Sequence, residues 1–169
     1  MKGEPARLAP REDGMNKRLN FALAVLISPV IAHASPDLFV GKWNLDVRRS
    51  IYPGSTCPKS MTIQMEQVDN GVRYQSATTY KDGTMMHVQY MASYNGKQAM
   101  VRTDRGFLLP VSLKRIDART AEASYSRGFQ VVATSRRVVS TDGKTMRITT
   151  ILKDATGKNV KTIGFYERT

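Results

Sequence analysis

The chain has 169 residues, of which 26 are basic and 14 acidic, giving a formal net charge of +12. Its single cysteine, Cys57, excludes an internal disulfide, so the fold must rest on packing alone. A basic balance favours anionic partners. The basic residues, however, come as scattered pairs such as Arg48-Arg49 and Arg136-Arg137, without interleaved aromatic residues. This pattern indicates a solvated basic surface and no specific nucleic-acid site.

The first 34 residues have the pattern of an export signal. Lys17 and Arg18 form a positive segment, residues 19–31 are mostly apolar, and Ala32-His33-Ala34 places small residues at the positions that a signal peptidase reads. The apolar run is shorter than the roughly 20 residues needed to span a bilayer, and it contains a proline. The sequence therefore predicts a signal peptide at 15–34, cleaved after Ala34, with residues 1–14 as an upstream extension before a start at Met15.

Cleavage would leave residues 35–169 as one domain in the periplasm or outside the cell. Residues 1–34 hold 5 of the basic and 3 of the acidic residues, so the mature chain has 135 residues and a net charge of +10. We expect it to be a monomer. In an oxidising compartment, Cys57 either pairs with another chain or stays a half-buried, unreactive thiol, and the sequence leaves both open.

After residue 40, short β-type runs alternate with turn signals at a regular spacing. Asp-Gly and Asn-Gly pairs supply the positive φ angles that tight hairpins need. About nine strands are predicted, around 43–46, 61–68, 72–80, 84–94, 111–117, 120–126, 129–140, 145–154 and 161–168. The connection 95–110 is long and is either a lid or a twisted edge strand.

Alternation along these runs separates an inner from an outer face. One face carries Met61, Ile63 and Met65 in one run, and Met86, Val88, Tyr90, Ala92 and Tyr94 in another. A meander of this length must protect its two edges, and curling into a barrel does so, whereas a sandwich would need longer crossing connections. We predict an all-β, up-and-down antiparallel barrel, with the signal-peptide helix outside it.

The segment Gly41-Lys42-Trp43 is similar to the Gly-x-Trp signature of lipocalins and related calycin barrels. The chain from Gly41 to Tyr166 also resembles small secreted bacterial lipocalin-like proteins to which no activity is assigned. The resemblance runs through Pro58-Lys59-Ser60, residues 111–117 and residues 137–145. It implies a calycin barrel closed by Gly41, Trp43 and a late basic residue, Arg168, packed across the indole. The Thr-Asp-Tyr-type turn of true lipocalins is absent, so no ligand chemistry is carried over.

Catalytic patterns are absent from the sequence. There is no nucleophile elbow, phosphate-binding loop, cofactor motif or metal-ligand spacing. His87 is the only histidine after residue 34, and it lies on the face opposite the predicted interior. The acid–base candidates are scattered, and none is paired with another in sequence: Asp46, Glu66, Glu122 and Glu167. We therefore expect no enzyme, no cofactor and no metal.

A binding role agrees better with the pattern. Barrels of about eight strands have an interior wide enough for side chains or one small ligand, and methionine adapts to irregular apolar guests. The predicted ligand-binding residues are Met61, Met65, Met86, Val88, Tyr90 and Tyr94, for a small apolar or amphipathic anionic molecule. Two alternatives remain open: these side chains simply fill the barrel, or the basic exterior docks on an anionic envelope surface or on another protein.

Overall fold

A computed structural model describes residues 36–54 and 56–169, and in these ranges the chain is all-β. The first six strands are β1 (Gly41–Ile51), β2 (Ser60–Val68), β3 (Gly71–Thr79), β4 (Met85–Ser93), β5 (Asn95–Ala99) and β6 (Arg102–Thr103). The last six are β7 (Gly106–Phe107), β8 (Val111–Arg115), β9 (Thr120–Arg127), β10 (Gln130–Val139), β11 (Thr145–Lys153) and β12 (Asn159–Arg168). The predicted signal peptide, cleavage site and upstream extension lie outside the described residues. No helix in the described ranges is long and apolar enough to cross a membrane.

The strands form one antiparallel sheet that follows chain order almost throughout. Its order is β5-β8-β9-β10-β11-β12-β1-β2-β3-β4-β6-β7, with β12 pairing back onto β1. The sheet curls into a half-barrel until β4 approaches β5 and β8, where the Arg115 amide donates a 3.5 Å hydrogen bond to the Tyr94 carbonyl. The predicted all-β, up-and-down antiparallel architecture is confirmed.

The connection 95–110, predicted to be a lid or a twisted edge strand, contains three short strands, and β5 and β7 form the two edges of the sheet. β5 pairs with β8, while β6 and β7 form a small hairpin against the outer edge of β4. Asn95-Gly96 was expected to make a tight hairpin after β4. Gly96 does have a positive φ of 79°, but both residues lie at the start of β5, which pairs with β8 and not with β4.

Alternation along β2 and β4 matches the prediction. Ile63, Met65, Tyr90 and Ala92 are buried, whereas the intervening residues of β4 are exposed. The hydrophobic core fills the end of the half-barrel at which β1 begins, which we call the closed end. It is bounded by residues 36–40 and the turns 69–70, 116–119 and 140–144. The opposite end, called the open end, carries the loop 52–59 and the turns 80–84, 128–129 and 154–158.

Candidate ligand-binding site

Trp43 and Arg168 seal the closed end. Trp43 is fully buried at the start of β1, and its indole Nε1 donates a 2.9 Å hydrogen bond to the Phe39 carbonyl. The guanidinium carbon of Arg168, at the end of β12, lies 4.1 Å from the indole centroid. Because β1 and β12 pair with Trp43 opposite Arg168, the sheet register itself brings the cation to the ring. Such a contact contributes about 0.5–2 kcal/mol.

Arg168 also ties the residues before β1 to the sheet. Its guanidinium donates to the Leu38 and Val40 carbonyls, and its Nε donates a 2.7 Å hydrogen bond to the Gly143 carbonyl. Gly41 leaves room for this side chain, since a Cβ there would lie 2.6 Å from an Arg168 nitrogen, and its φ of +131° disfavours other residues. The three residues predicted to close the barrel, Gly41, Trp43 and Arg168, therefore lie together.

Two adjoining cavities occupy the interior toward the open end, with volumes of about 250 and 310 Å³. They share Met61, Tyr74, Thr78, Met86 and Tyr125 as lining residues. We call the two together the inner chamber. The first cavity extends to Tyr52 and Pro58 in the open-end loop, and the second to Leu108 and Leu109. Each is near the lower limit of the volumes typical of small-ligand pockets.

Arg137 is the charged group of the inner chamber. It lies on β10, is only 3% exposed, and lines the first cavity. One terminal nitrogen donates a 2.6 Å hydrogen bond to the Tyr90 hydroxyl, and the guanidinium carbon is 5.0 Å from the Tyr74 ring centroid. Its Nε is buried without a hydrogen-bond partner in the described chain, and none of the ion pairs there involves Arg137.

The surrounding tyrosines do not neutralise this charge. Burial raises the pKa of Tyr74 and Tyr90 above the usual phenol value despite the opposing effect of Arg137, so both stay protonated near neutral pH. Their rings stack with centroids 4.7 Å apart. A guanidinium remains charged under all physiological conditions. The inner chamber therefore holds a buried positive charge in contact with neutral phenols.

Four of the six predicted binding residues line the inner chamber. Met61 and Met86 line both cavities, and Val88 and Tyr90 line the second. The Met61 sulfur accepts a 3.3 Å hydrogen bond from the Tyr166 hydroxyl. The apolar side chains and the charge of Arg137 therefore line the same inner chamber.

Met65 and Tyr94 lie elsewhere. Met65 is completely buried in the packed core and lines neither cavity. Tyr94 lies at the closed end, where its hydroxyl donates a 2.9 Å hydrogen bond to Asp37 and the Arg115 guanidinium carbon lies 3.9 Å above its ring. Arg115 in turn forms an ion pair with Asp37. These two side chains contribute to packing at the closed end because both strands continue past the chamber.

The acid–base candidates lie in surface contacts. Glu66 pairs with Arg73 at 3.1 Å, and Glu122 with Arg136 at 2.5 Å. Asp46 and Glu167 each lie near Arg49, at 4.0 and 3.8 Å. They are dispersed over the exterior and do not converge on a cleft.

His87 lies on the exterior as its strand position predicts. Its Nδ1 is 2.8 Å from Asp104 Oδ2, and both side chains are half exposed. Hydrogen bonds from the His87 amide and ring hold the pKa of Asp104 below its usual value. The contact fastens the β6–β7 hairpin to β4 and borders an outer groove of about 350 Å³.

Cys57 is a half-buried free thiol whose sulfur lies 3.6 Å from the Pro58 carbonyl. Across residues 36–54 and 56–169, no three His, Cys, Asp or Glu side chains come together as metal ligands.

The sequence pattern assigned the pair Arg136-Arg137 to the solvated surface, but Arg137 is buried. The two side chains point to opposite faces of β10, and only Arg136 reaches Glu122 on the exterior. A signal was available, since adjacent residues of a strand cannot both face solvent when one face of the sheet is buried.

Comparison with known proteins identifies similarity of fold. No family model matches the chain, and no curated protein matches it in sequence. Among solved structures, the zebrafish ileal bile acid-binding protein, crystallised with cholic acid, superposes with a TM-score of 0.52 at 12% identity. The match covers 78% of this chain and 99% of that one. At this identity the likeness shows a shared calycin-like fold.

Proposed function

We propose that this protein binds a small amphipathic anion in the inner chamber, with the anionic head at Arg137 and the apolar part against the methionine-rich wall. The observation that carries the proposal is the buried, charged guanidinium that has no carboxylate partner in the described chain. Binding, not catalysis, is the activity proposed.

Burial of the Arg137 charge has a cost in free energy. Removing a cation from water costs several kcal/mol unless an opposite charge or hydrogen bonds compensate it. Tyr90 accepts one hydrogen bond and the Tyr74 ring provides a cation–π contact, but Nε is left unpaired. A ligand carboxylate, sulfonate or sulfate would supply the missing charge, and two of its oxygens could accept from adjacent guanidinium nitrogens.

The shape of the chamber supports an amphipathic ligand over a small inorganic ion. The second cavity is bounded largely by apolar side chains, among them Val88, Val101, Leu108 and Ala133. Burial of apolar area would contribute about 25 cal/mol per Å². The zebrafish neighbour was crystallised with cholic acid, an amphipathic acid, which agrees with this ligand class. The alternative of a filled barrel has less support, because the methionine wall borders open volume.

Export and a monomeric state belong to the same proposal. The charged, apolar and small-residue segments of residues 15–34 support cleavage after Ala34 and a periplasmic or secreted location.

Mass spectrometry of the protein purified from the cells that make it tests the function. Under native conditions we expect the mass of a monomer beginning at Ser35 plus a small adduct, which is released as an anion on denaturation. A bare protein mass, together with failure of a fluorescent apolar anion to bind, would contradict ligand binding. A protein that still carries residues 15–34 would contradict export, but it would leave the ligand-binding proposal unaffected.

A further inference from the structure

A second surface, distinct from the inner chamber, lies at the open end. Phe129 is fully exposed at the tip of the turn between β9 and β10, and Val131, two residues further on, is 46% exposed. Met85, 57% exposed, begins β4 at the same end of the half-barrel. Contiguous exposed apolar surface marks interaction sites, and a fully exposed phenylalanine at a turn tip can serve as the apolar anchor of one.

The same end is basic. The turns of the open end and the strand residues next to them carry two carboxylates, Asp82 and Asp154, against five cations: Lys59, Lys81, Arg127, Lys153 and Lys158. Both carboxylates accept hydrogen bonds from backbone amides within their own turns, so their oxygens are partly engaged inside the protein.

The closed end is less basic. Counted in the same way, with the strand residues next to its connections, it holds four cations against four carboxylates: Arg115, Arg119, Lys144 and Arg168 against Asp37, Asp69, Asp117 and Asp142. The distribution of charge along the barrel axis would therefore turn the open end toward an anionic surface.

We infer that the open end docks on an anionic lipid bilayer, with Phe129 entering the headgroup region and the four lysines and Arg127 of this end contacting lipid phosphates. Stable peripheral attachment generally needs an apolar anchor combined with a basic patch, and this end has both. Each cation near an anionic surface strengthens attachment by about fivefold. The inference goes beyond the proposed function, because it assigns a surface from which a ligand of the inner chamber would enter and leave.

Fluorescence of single substitutions in the full chain tests the docking surface site by site. The only native tryptophan, Trp43, is fully buried and serves as a constant background. The fluorescence emission maximum of the Phe129→Trp variant should shift to shorter wavelength when vesicles of phosphatidylcholine with phosphatidylglycerol are added. Lipids with brominated acyl chains should quench this emission. Ile116→Trp is the matched control, since Ile116 is 45% exposed at the closed end, and it should not respond. Equal responses at both positions, or none at Phe129→Trp, would overturn the inference.

Charge reversal tests the electrostatic part. Lys81→Glu combined with Lys158→Glu should weaken attachment at least tenfold, whereas Arg119→Glu with Lys144→Glu, an equal change at the closed end, should leave it within twofold. Attachment should also disappear in high salt. If the variant with Lys81→Glu and Lys158→Glu attached as strongly as the native protein, the lipid assignment would be overturned. It would also be overturned if the emission of the Phe129→Trp variant shifted with protein concentration in the absence of lipid, because the open end would then bind a second copy of the chain. Neither readout requires a ligand in the chamber, so failure here is distinguishable from failure of the proposed function.

Discussion

At the scale of single residues, two buried or half-buried arginines have opposite roles. Arg168 donates to carbonyls on both sides of the closed end and covers Trp43, so its hydrogen-bonding capacity is used within the protein. Arg137 has one hydrogen bond and an unpaired Nε. The first arrangement satisfies the cation within the fold, and the second leaves a buried cation without an opposite charge among the described residues.

Replacing Arg168 by methionine should therefore cost stability. The substitution keeps a side chain over the indole but removes the charge-assisted hydrogen bonds and the cation–π contact, which are worth about 2–4 kcal/mol together. Chemical denaturation monitored by Trp43 fluorescence should show this loss in the free energy of unfolding. The control is Arg147→Met, an exposed position on β11, for which we expect a change below about 0.5 kcal/mol. Equal stability of the two variants would contradict the role of Arg168.

At the scale of elements, the turns combine a left-handed glycine with an aspartate that accepts bonds from its own turn. In the β11–β12 turn, Asp154 accepts from the Thr156 hydroxyl and from the Thr156 and Lys158 amides, and Gly157 has a φ of +82°. In the β10–β11 turn, Asp142 accepts from the Ser140 hydroxyl and the Lys144 amide. The hydrogen bonds from these hydroxyls and amides lower the pKa of both carboxyls.

These lowered pKa values predict a loss of stability in acid. A carboxyl whose pKa is lower in the folded than in the unfolded state stabilises the fold fully above its unfolded pKa, near 4, and loses that contribution as the pH falls through its folded pKa. Thermal unfolding should therefore show a constant midpoint from pH 7 to about 5 and a decline below about 4. Asp154→Asn should reduce the decline, since the amide still accepts hydrogen bonds but does not titrate. A midpoint that rises on acidification would contradict this account.

Local sequence determined the turns better than it determined strand partners. Asp142-Gly143 and Thr156-Gly157 lie in the hairpin turns that their residue types predict. Asn95-Gly96 has the same signal, yet β5 pairs with β8, because curling of the whole sheet brings β8 to that position. The short strands β6 and β7 could not be predicted because two-residue strands have too few positions to show alternation.

At the scale of the whole molecule, the alternation of β2 and β4 was sufficient to predict a curled all-β sheet and most of the apolar chamber wall. It could not show how far along each strand the chamber extends. Met61 and Met65 share a face, but Met61 lines the chamber and Met65 packs in the core. Whether a side chain lines the chamber or packs in the core depends on which other strands place large side chains at the same level along the barrel axis. This level is set by the register of every strand in the sheet.

Electrostatic organisation was also beyond the reach of the sequence. The net charge indicated anionic partners, but it could not separate Arg137 inside from the five cations at the open end. Both features follow from topology, which places one arginine of a pair inward and gathers residues distant in sequence at one end of the barrel.

Selection of an anionic head group by Arg137 in the inner chamber can be measured by calorimetric titration with decanoate and decan-1-ol. The native protein should bind the carboxylate at least tenfold more tightly than the alcohol, because only the carboxylate can pair with the guanidinium. Arg137→Met should bind both alike, while Arg136→Met, with the same change in net charge on the outer face of the same strand, should keep the preference. A native protein without preference for decanoate, or a preference that survives in Arg137→Met, would contradict selection by Arg137.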